Sequence, residues 1–414
     1  MIEHRPLRFL NGTLLTEPTD CPCGRRHKIP FDAVIVRPGA LGEAPAVFED
    51  LGAGRNCCLV VDTNTYDAAG DQLESFLSAT GRRVTLSRFE SRDGVKPEAA
   101  AAGAVLLDMG ADTDLLVAVG SGCITDVTRF VAARTGTPFV SVPTAPSVDA
   151  YTSSSSPMTH RGFKRSIAGV PARAVVADLD VLAEAPPEMI ASGFGDTLGK
   201  LVSRCDWQLS ALITDEYHCP EIDSNVTEGV SRCTALAPEI GRGEPMAVAA
   251  LAESLMVSGA AMTLVGNSRP ASGAEHSLSH YWEMKAAHTG RPGHLHGKLV
   301  GVGSVVMAAF WARFADRLSS IDPGSLDPAR IRARRRSLSD IKSNLTPSLG
   351  PVADTLLSQV TKARLLPEEE ASARLNRLQE VWSKMASIAE EAPSVRELAD
   401  NLRQVGGPAY PADI

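Results

Sequence analysis

Five of the chain's nine histidines, His276, His280, His288, His294 and His296, fall between Ser272 and Lys298. Imidazole suits divalent transition metals, so a cluster of this density points first to metal chemistry. In Ser272-Gly273-Ala274-Glu275-His276-Ser277-Leu278-Ser279-His280-Tyr281-Trp282-Glu283 the residues after the glycine have helical character, and the spacing places His276 and His280 one turn apart on one face. Arg291-Pro292-Gly293 breaks that helix, and His294-Leu295-His296-Gly297 stands directly before the apolar run Leu299 to Phe310. A third imidazole can therefore approach from a loop or a helix start. An open catalytic metal site has three protein ligands from separate segments, commonly including a carboxylate, so the missing ligand is expected to be an Asp or Glu elsewhere. The zinc-protease spacing His-Glu-x-x-His is absent.

The elements that must position these groups follow from the apolar pattern. Ala33 to Val36, Asn56 to Asp62, Val84 to Phe89, Leu115 to Val119, Pro138 to Val142 and Val175 to Asp178 read as short strands. Between them lie a helix from Thr63 through Leu77, an alanine-rich helix from Pro97 to Met109 and an apolar-periodic helix from Val127 to Ala133. This alternation predicts a mostly parallel sheet covered by helices. Gly120-Ser121-Gly122-Cys123-Ile124-Thr125-Asp126 joins a strand to a helix, where glycines and free amides suit a phosphate; the third glycine of Gly-x-Gly-x-x-Gly is Thr125, so an ordinary tight turn fits as well. Pro143 to Ser156 reads as a long polar loop at a strand's carboxyl end, the edge at which open parallel sheets bind ligands.

From Pro186 onward the pattern is helical, with Gly193-Phe194-Gly195-Asp196 interrupting one helix that resumes from Leu198 to Leu209. Asp196 is then either an N-cap or the missing carboxylate ligand. Further helices are expected over Pro245 to Val265, Leu299 to Arg317, Ala329 to Asn344 and Pro367 to Ala392, with Arg332 to Arg336 a solvated face. The expected division is an N-terminal segment (1–40), a nucleotide-binding α/β domain (41–185) and a helical domain (186–414).

The 414 residues are 44% hydrophobic and 22% charged with a formal net charge of -8, which argues against a nucleic-acid or anionic-membrane surface. Met1 to Leu10 lacks the apolar core of a signal peptide and no run is long enough for a membrane helix, so a cytoplasmic chain is expected. The eight cysteines are dispersed as reduced thiols would be. Cys21-Pro22-Cys23-Gly24 with His27 is the exception: it supplies three metal donors and needs a fourth, although Cys-x-Cys departs from the zinc-ribbon gap.

Taken together, Gly120-Ser121-Gly122 with Asp126, Ser141 to Ser147 with Asp149, Gly193-Phe194-Gly195-Asp196, Ser272 to His276 with His280, and His296-Gly297 resemble the sn-glycerol-1-phosphate dehydrogenases. The resemblance is to their bacterial, arabinose-operon-associated branch, within the iron-containing alcohol dehydrogenase and dehydroquinate synthase superfamily, and it runs from about Asn56 to Gly303. It implies a dehydroquinate synthase-like fold: an α/β nucleotide-binding domain, an all-α metal-binding domain and an active site in the cleft between them. It further implies Asp196, His276 and His296 as ligands of one divalent metal (zinc, nickel or iron), with Asp196 also among the catalytic residues. His280 and Asp149 resemble catalytic substrate contacts. Gly120, Ser121, Gly122, Asp126, Thr144, Ser147 and Ser153 resemble the nicotinamide-dinucleotide site. Asp62 suits the adenine-side ribose, which favours NAD(H) over NADP(H).

Lys164, Arg161 and Lys200 are candidates to neutralise a substrate phosphate. The implied reaction is reduction of dihydroxyacetone phosphate to sn-glycerol 1-phosphate, with the metal as Lewis acid, by a homo-oligomer, expected to be a homodimer, that takes a small phosphorylated ketone or polyol. A glycerol or related polyol dehydrogenase and a sugar-phosphate cyclase share the same frame.

Overall fold

The computed structural model describes residues 7–15, 19–327, 336–364 and 368–414. Its strands are β1 (Phe9–Leu10), β2 (Thr13–Leu14), β3 (Thr19–Asp20), β4 (Arg26–His27), β5 (Ala33–Arg37), β6 (Asn56–Asp62), β7 (Arg83–Phe89), β8 (Leu115–Val119), β9 (Phe139–Val142), β10 (Ser155–His160), β11 (Phe163–Ala168) and β12 (Ala174–Asp178). Eight of them form one sheet in the order β1-β2-β5-β12-β9-β8-β6-β7. β1, β2 and β5 pair antiparallel, and the other pairings in the sheet are parallel. β8 and β12 are buried along their whole length, as continuous apolar runs covered on both faces must be. Alternate residues supply opposite layers: Cys58, Val60, Leu116 and Ala118 join one core, while Cys57, Leu59, Val61, Leu115 and Val117 join the other. Residues 33–37, which the sequence division leaves in the N-terminal segment, are a strand of this sheet paired with β12.

The order reverses at β6: the chain moves outward to β7, then crosses back so that β8 lies on the other side of β6. Carboxyl ends of strands at such a reversal leave a crevice between diverging connections. Val60 is the register partner of Ala118, so Asp62 and Gly120, each two residues on, leave the sheet at the same level.

Five helices build the site: α1 (Gly122–Thr135), α2 (Pro187–Thr214), α3 (Pro245–Val265), α4 (Ala274–Thr289) and α5 (His296–Ser320). The expected interruption at Gly193-Phe194-Gly195 does not occur, since α2 is one 28-residue helix. Its glycines are contact points. A Cβ on Gly193 would lie 1.7 Å from the Pro146 carbonyl oxygen, and one on Gly195 would lie 2.3 Å from that of Gly297. Asp196 is accordingly mid-helix and buried, not an N-cap.

The expected 143–156 loop is shorter than read. It contains a turn of 3₁₀ helix at Ala150–Thr152 and enters the antiparallel hairpin β10–β11. That turn docks on α3: Thr152 Oγ1 donates to the Met256 carbonyl at 2.7 Å, and Thr263 Oγ1 to the Thr152 carbonyl at 2.9 Å. A helix over Pro220–Ala235 joins those expected, and the Pro367 to Ala392 segment is two helices, Glu368–Glu380 and Trp382–Glu390. The Ala329 to Asn344 expectation falls partly outside the described residues, within which a helix covers Leu338–Leu349. Contrary to the sequence reading, α3 and α5 are long and apolar enough to cross a membrane; the apolar window of α3 is 72% buried within the fold and that of α5 50%.

Candidate metal and cofactor site

Three donors from three helices meet where α2, α4 and α5 face the sheet's carboxyl edge. Asp196, His276 and His296 each place a ligand atom within 4.8 Å of the others. Asp196 comes from the middle of α2, His276 from the first turn of α4, and His296 opens α5. The near-contact of Gly195 with Gly297 sets the last of these against the first, because only glycines allow the two backbones so close.

Both imidazoles are oriented through Nδ1. Glu275 Oε1 lies 2.7 Å from His276 Nδ1 and also accepts the Gly273 N–H at 2.8 Å. Glu283 Oε1 lies 2.7 Å from His296 Nδ1, and its Oε2 lies 2.6 Å from Lys164 Nζ. A carboxylate on Nδ1 fixes the tautomer that presents Nε2 to a metal, and His276 Nε2 sits 3.3 Å from Asp196 Oδ1. One carboxylate and two such imidazoles fit a divalent transition metal with open positions. A second grouping, His280, Glu283 and His296, shares His296 but uses the carboxylate already holding it.

The Asp196 charge is deeply buried and densely compensated. Lys200 Nζ lies 2.9 Å from Asp196 Oδ1 and 2.8 Å from Asp149 Oδ2, while the Asp149 N–H donates to Asp196 Oδ2 at 3.1 Å. Ser258 Oγ of α3 donates to Asp149 Oδ2 at 2.8 Å. Burial alone would raise the Asp196 carboxyl, but Lys200, His276 and His296 hold it far below the carboxylate range. Burial would likewise lower Lys200, which Asp149 and Asp196 keep charged. His276 rises to about 9, because hydrogen bonds to Asp196 and Glu275 outweigh desolvation.

His280 behaves in the opposite way. It sits one turn from His276, its ring stacked on His296 with centroids 5.4 Å apart. Burial, Lys164 and His296 push it well below its ordinary value, so it is a neutral imidazole.

Among the candidate phosphate contacts, Lys164 on β11 reaches this cluster through Glu283. Lys200 does not serve that purpose, because it is 2% exposed and already balanced by two carboxylates. Arg161 stands exposed on the turn between β10 and β11 with a left-handed φ of 52°.

The cofactor candidates line the reversal of the sheet. Ser121 has extended backbone at the N-cap of α1 and its hydroxyl makes no capping bond, which leaves the helix start to an anion. A Cβ on Gly120 would come within 2.8 Å of Ile124, and one on Gly122 within 2.6 Å of Val148, so this turn has room only for glycine at both positions. Asp126 faces inward: it pairs with the fully buried Arg129 at 2.8 Å, and Arg129 reaches the Ser155 carbonyl at 3.0 Å and also the Ala150 carbonyl. Burial outweighs that partner and raises the Asp126 carboxyl to about 7. Asp126 thus braces the 150–155 turn. Thr144, Ser147 and Ser153 are buried on the same loop, with Ser147 Oγ 3.3 Å from Tyr151 Oη and Ser153 Oγ 3.3 Å from Ser155 Oγ. Asp62 ends β6, where its Oδ1 accepts the Thr65 N–H at 2.9 Å and so caps the helix that follows.

Residues 35–186 match a family described as iron-containing alcohol dehydrogenase. Glycerol-1-phosphate dehydrogenase (NAD(P)+) of Halalkalibacterium halodurans is 37% identical over 296 residues, which span 71% of this chain and 74% of that protein. The enzyme of the same name from Geobacillus stearothermophilus is 36% identical over 360 residues, 84% of this chain and 88% of its own. The crystal structure of glycerol dehydrogenase from Schizosaccharomyces pombe shares the fold, with a TM-score of 0.56 and 17% identity over 86% of this chain and 89% of that one. With this identity spread over most of both chains, and a metal-competent donor set at the sheet edge, the chain belongs to the glycerol-1-phosphate dehydrogenase family of iron-containing alcohol dehydrogenases, oxidoreductases that use NAD(P) and a divalent metal.

Proposed function

We propose that this chain reduces dihydroxyacetone phosphate to sn-glycerol 1-phosphate, reversibly, with NADH preferred over NADPH and one divalent ion held by Asp196, His276 and His296. The observation that carries the reading is the convergence of those three donors beside His280 and Lys164, in a chain whose relatives are named for this reaction. Asp196, His276 and His296 would hold the metal, which would supply Lewis-acid polarisation of the C2 carbonyl, and a bound nicotinamide would supply the hydride.

The chain's own residues do the rest. Glu275 and Glu283 hold the two imidazoles in the Nε2-presenting tautomer. Lys200 fixes Asp196 and Asp149 to each other, so the carboxylates keep their places as charge develops on the substrate oxygen. His280 is partly exposed, and the nearby Glu283 carboxylate is bonded to His296; as a neutral imidazole His280 passes a proton by giving up one N–H while accepting at its other nitrogen. Lys164 is the cation best placed for the phosphate, where a charge-assisted bond orients the ketone. Asp62 would accept bonds from the adenosine ribose and repel a 2′-phosphate.

The test is the stoichiometry of NADH oxidation by the metal-loaded enzyme with dihydroxyacetone phosphate. One NADH consumed per glycerol phosphate formed supports the reading. Absence of turnover with the metal present marks a different substrate, which for a cyclase would be a sugar phosphate converted with no net NADH consumption.

A further inference from the structure

We propose that Cys21, Cys23, His27 and Cys219 bind one structural zinc ion, in a second metal site separate from the Asp196–His276–His296 cluster. All four donors lie within 4.8 Å of one another. Cys21 Sγ is 3.6 Å from Cys219 Sγ, Cys23 Sγ is 3.4 Å from His27 Nε2, and Cys219 Sγ is 3.5 Å from His27 Nε2. Zinc–sulfur and zinc–nitrogen bonds of about 2.3 and about 2.05 Å at tetrahedral angles separate sulfur from sulfur by about 3.8 Å and sulfur from nitrogen by about 3.5 Å. Three of the six edges therefore already stand at the lengths of a zinc tetrahedron, and the other three are within 4.8 Å. Three soft thiolates and an imidazole favour zinc over the harder divalent ions, and four protein donors leave no open position, so the site serves structure and not turnover.

The local chain is built to present these donors. Gly24 takes a left-handed φ of 84° and its N–H donates to the Cys21 carbonyl at 3.0 Å, while the Cys21 N–H donates to the Arg25 carbonyl at 3.1 Å. This turn closes the β3–β4 ribbon, whose strands are two residues each and cannot hold together alone. Cys219 approaches from the helical half, at the N-cap of the Pro220–Ala235 helix, where the helix start favours a thiolate. The loop before it is pinned by Trp207 Nε1 donating to the Tyr217 carbonyl at 2.8 Å, and Tyr217 Oη lies 3.2 Å from Cys23 Sγ, in place to donate to a thiolate ligand. The ion would link residues up to 198 positions apart and clasp the segment preceding the first parallel strand onto the helical half.

The test uses the full-length chain purified without chelator and analysed for zinc per polypeptide. To read this site alone, Asp196→Ala and His276→Ala are combined to empty the other cluster. That variant should retain about one zinc per chain, and adding Cys219→Ser should remove it. His27→Cys, which keeps four ligands, should retain zinc and melt near the parent temperature. Cobalt loading gives a second readout: thiolate-to-cobalt charge-transfer absorption in the near ultraviolet, present in wild type and in Asp196→Ala and lost in Cys219→Ser. Should Cys219→Ser fail to fold, His27→Cys and the wild-type cobalt spectrum decide. A zinc-free double variant that remains folded, zinc content unmoved by Cys219→Ser, or a Cys21–Cys219 disulfide in place of the metal would each overturn the proposal.

Discussion

Asp196 remains charged at 1% exposure because Lys200, His276 and the Asp149 amide surround it. Replacing it by Asn keeps the shape and removes the charge that a metal needs. Asp196→Asn should lose metal from this cluster and at least about 10²-fold in kcat, by analogy with loss of a group aimed at developing charge, with circular dichroism unchanged. Metal analysis and kcat on one preparation check this. His276 gives a pH prediction for the chelated protein. Its folded value, about 9, lies above the ordinary 6.5, so its stabilisation is fully present below pH about 6.5 and is lost as pH rises through about 9. The melting temperature of chelated protein should decline over that window, and metal uptake near neutral pH should release a proton, readable with an indicator in weak buffer. Asp62→Asn keeps the helix cap and removes the charge, so the NADH-to-NADPH ratio of kcat/KM should fall while the melting temperature holds; an unchanged ratio would move the ribose site elsewhere. At this scale the histidines were legible because imidazoles are scarce and clustered. Glu275 and Glu283 were missed, and Lys200 was read as a phosphate contact when it pairs with Asp196 and Asp149, because Lys and Glu are common on helices. Spacing did contain the signal: Lys200 is four residues from Asp196, and Glu283 is seven from His276 on the same helical face.

At the level of elements, the glycines of α2 decide whether the donors meet. A Cβ at Gly195 would overlap the Gly297 carbonyl, one residue from His296, and push α5 away from Asp196. Gly195→Ala should therefore cost about 1–3 kcal/mol of stability and weaken metal binding more than a substitution at a glycine with open space for a Cβ, such as Gly103→Ala. Thermal melts and metal titration of the two variants separate the effects. The sequence misled here for a stated reason: glycines in a helical pattern signal a break, and only the neighbouring backbone reveals them as contacts. Strands β6, β8, β9 and β12 were readable because two-sided burial demands continuous apolar runs. The β10–β11 hairpin was not, since β10 is serine-rich and Arg161-Gly162 turns it with positive φ at both residues, which apolar periodicity does not record.

For the molecule as a whole, the crevice proposed for the cofactor comes from the sheet and the proposed metal donors from the helices, and the 143–153 loop joins them. That loop touches α2 through Ser192 and Pro146, α3 through Thr152 and Ser258, and α1 through Arg129. Alternation of strand and helix predicted both halves, but no periodicity records which loop bridges them. Lys164 stands beside the donor cluster through Glu283, so on the proposed reading a substrate phosphate held by it should contribute to catalysis. Losing one charge-assisted bond costs about 1.5–3 kcal/mol, or roughly 10- to 150-fold. Lys164→Ala should reduce the preference for phosphorylated ketone by that factor and leave the unphosphorylated rate little changed. The most direct test of the central claim is kcat/KM for dihydroxyacetone phosphate and for dihydroxyacetone, measured with one metal-saturated preparation and followed by chiral analysis of the product. At least about 10-fold preference for the phosphate ester, with sn-glycerol 1-phosphate as product, is expected; equal efficiency, faster turnover of the free ketone, or the opposite enantiomer would rule out the proposed reaction.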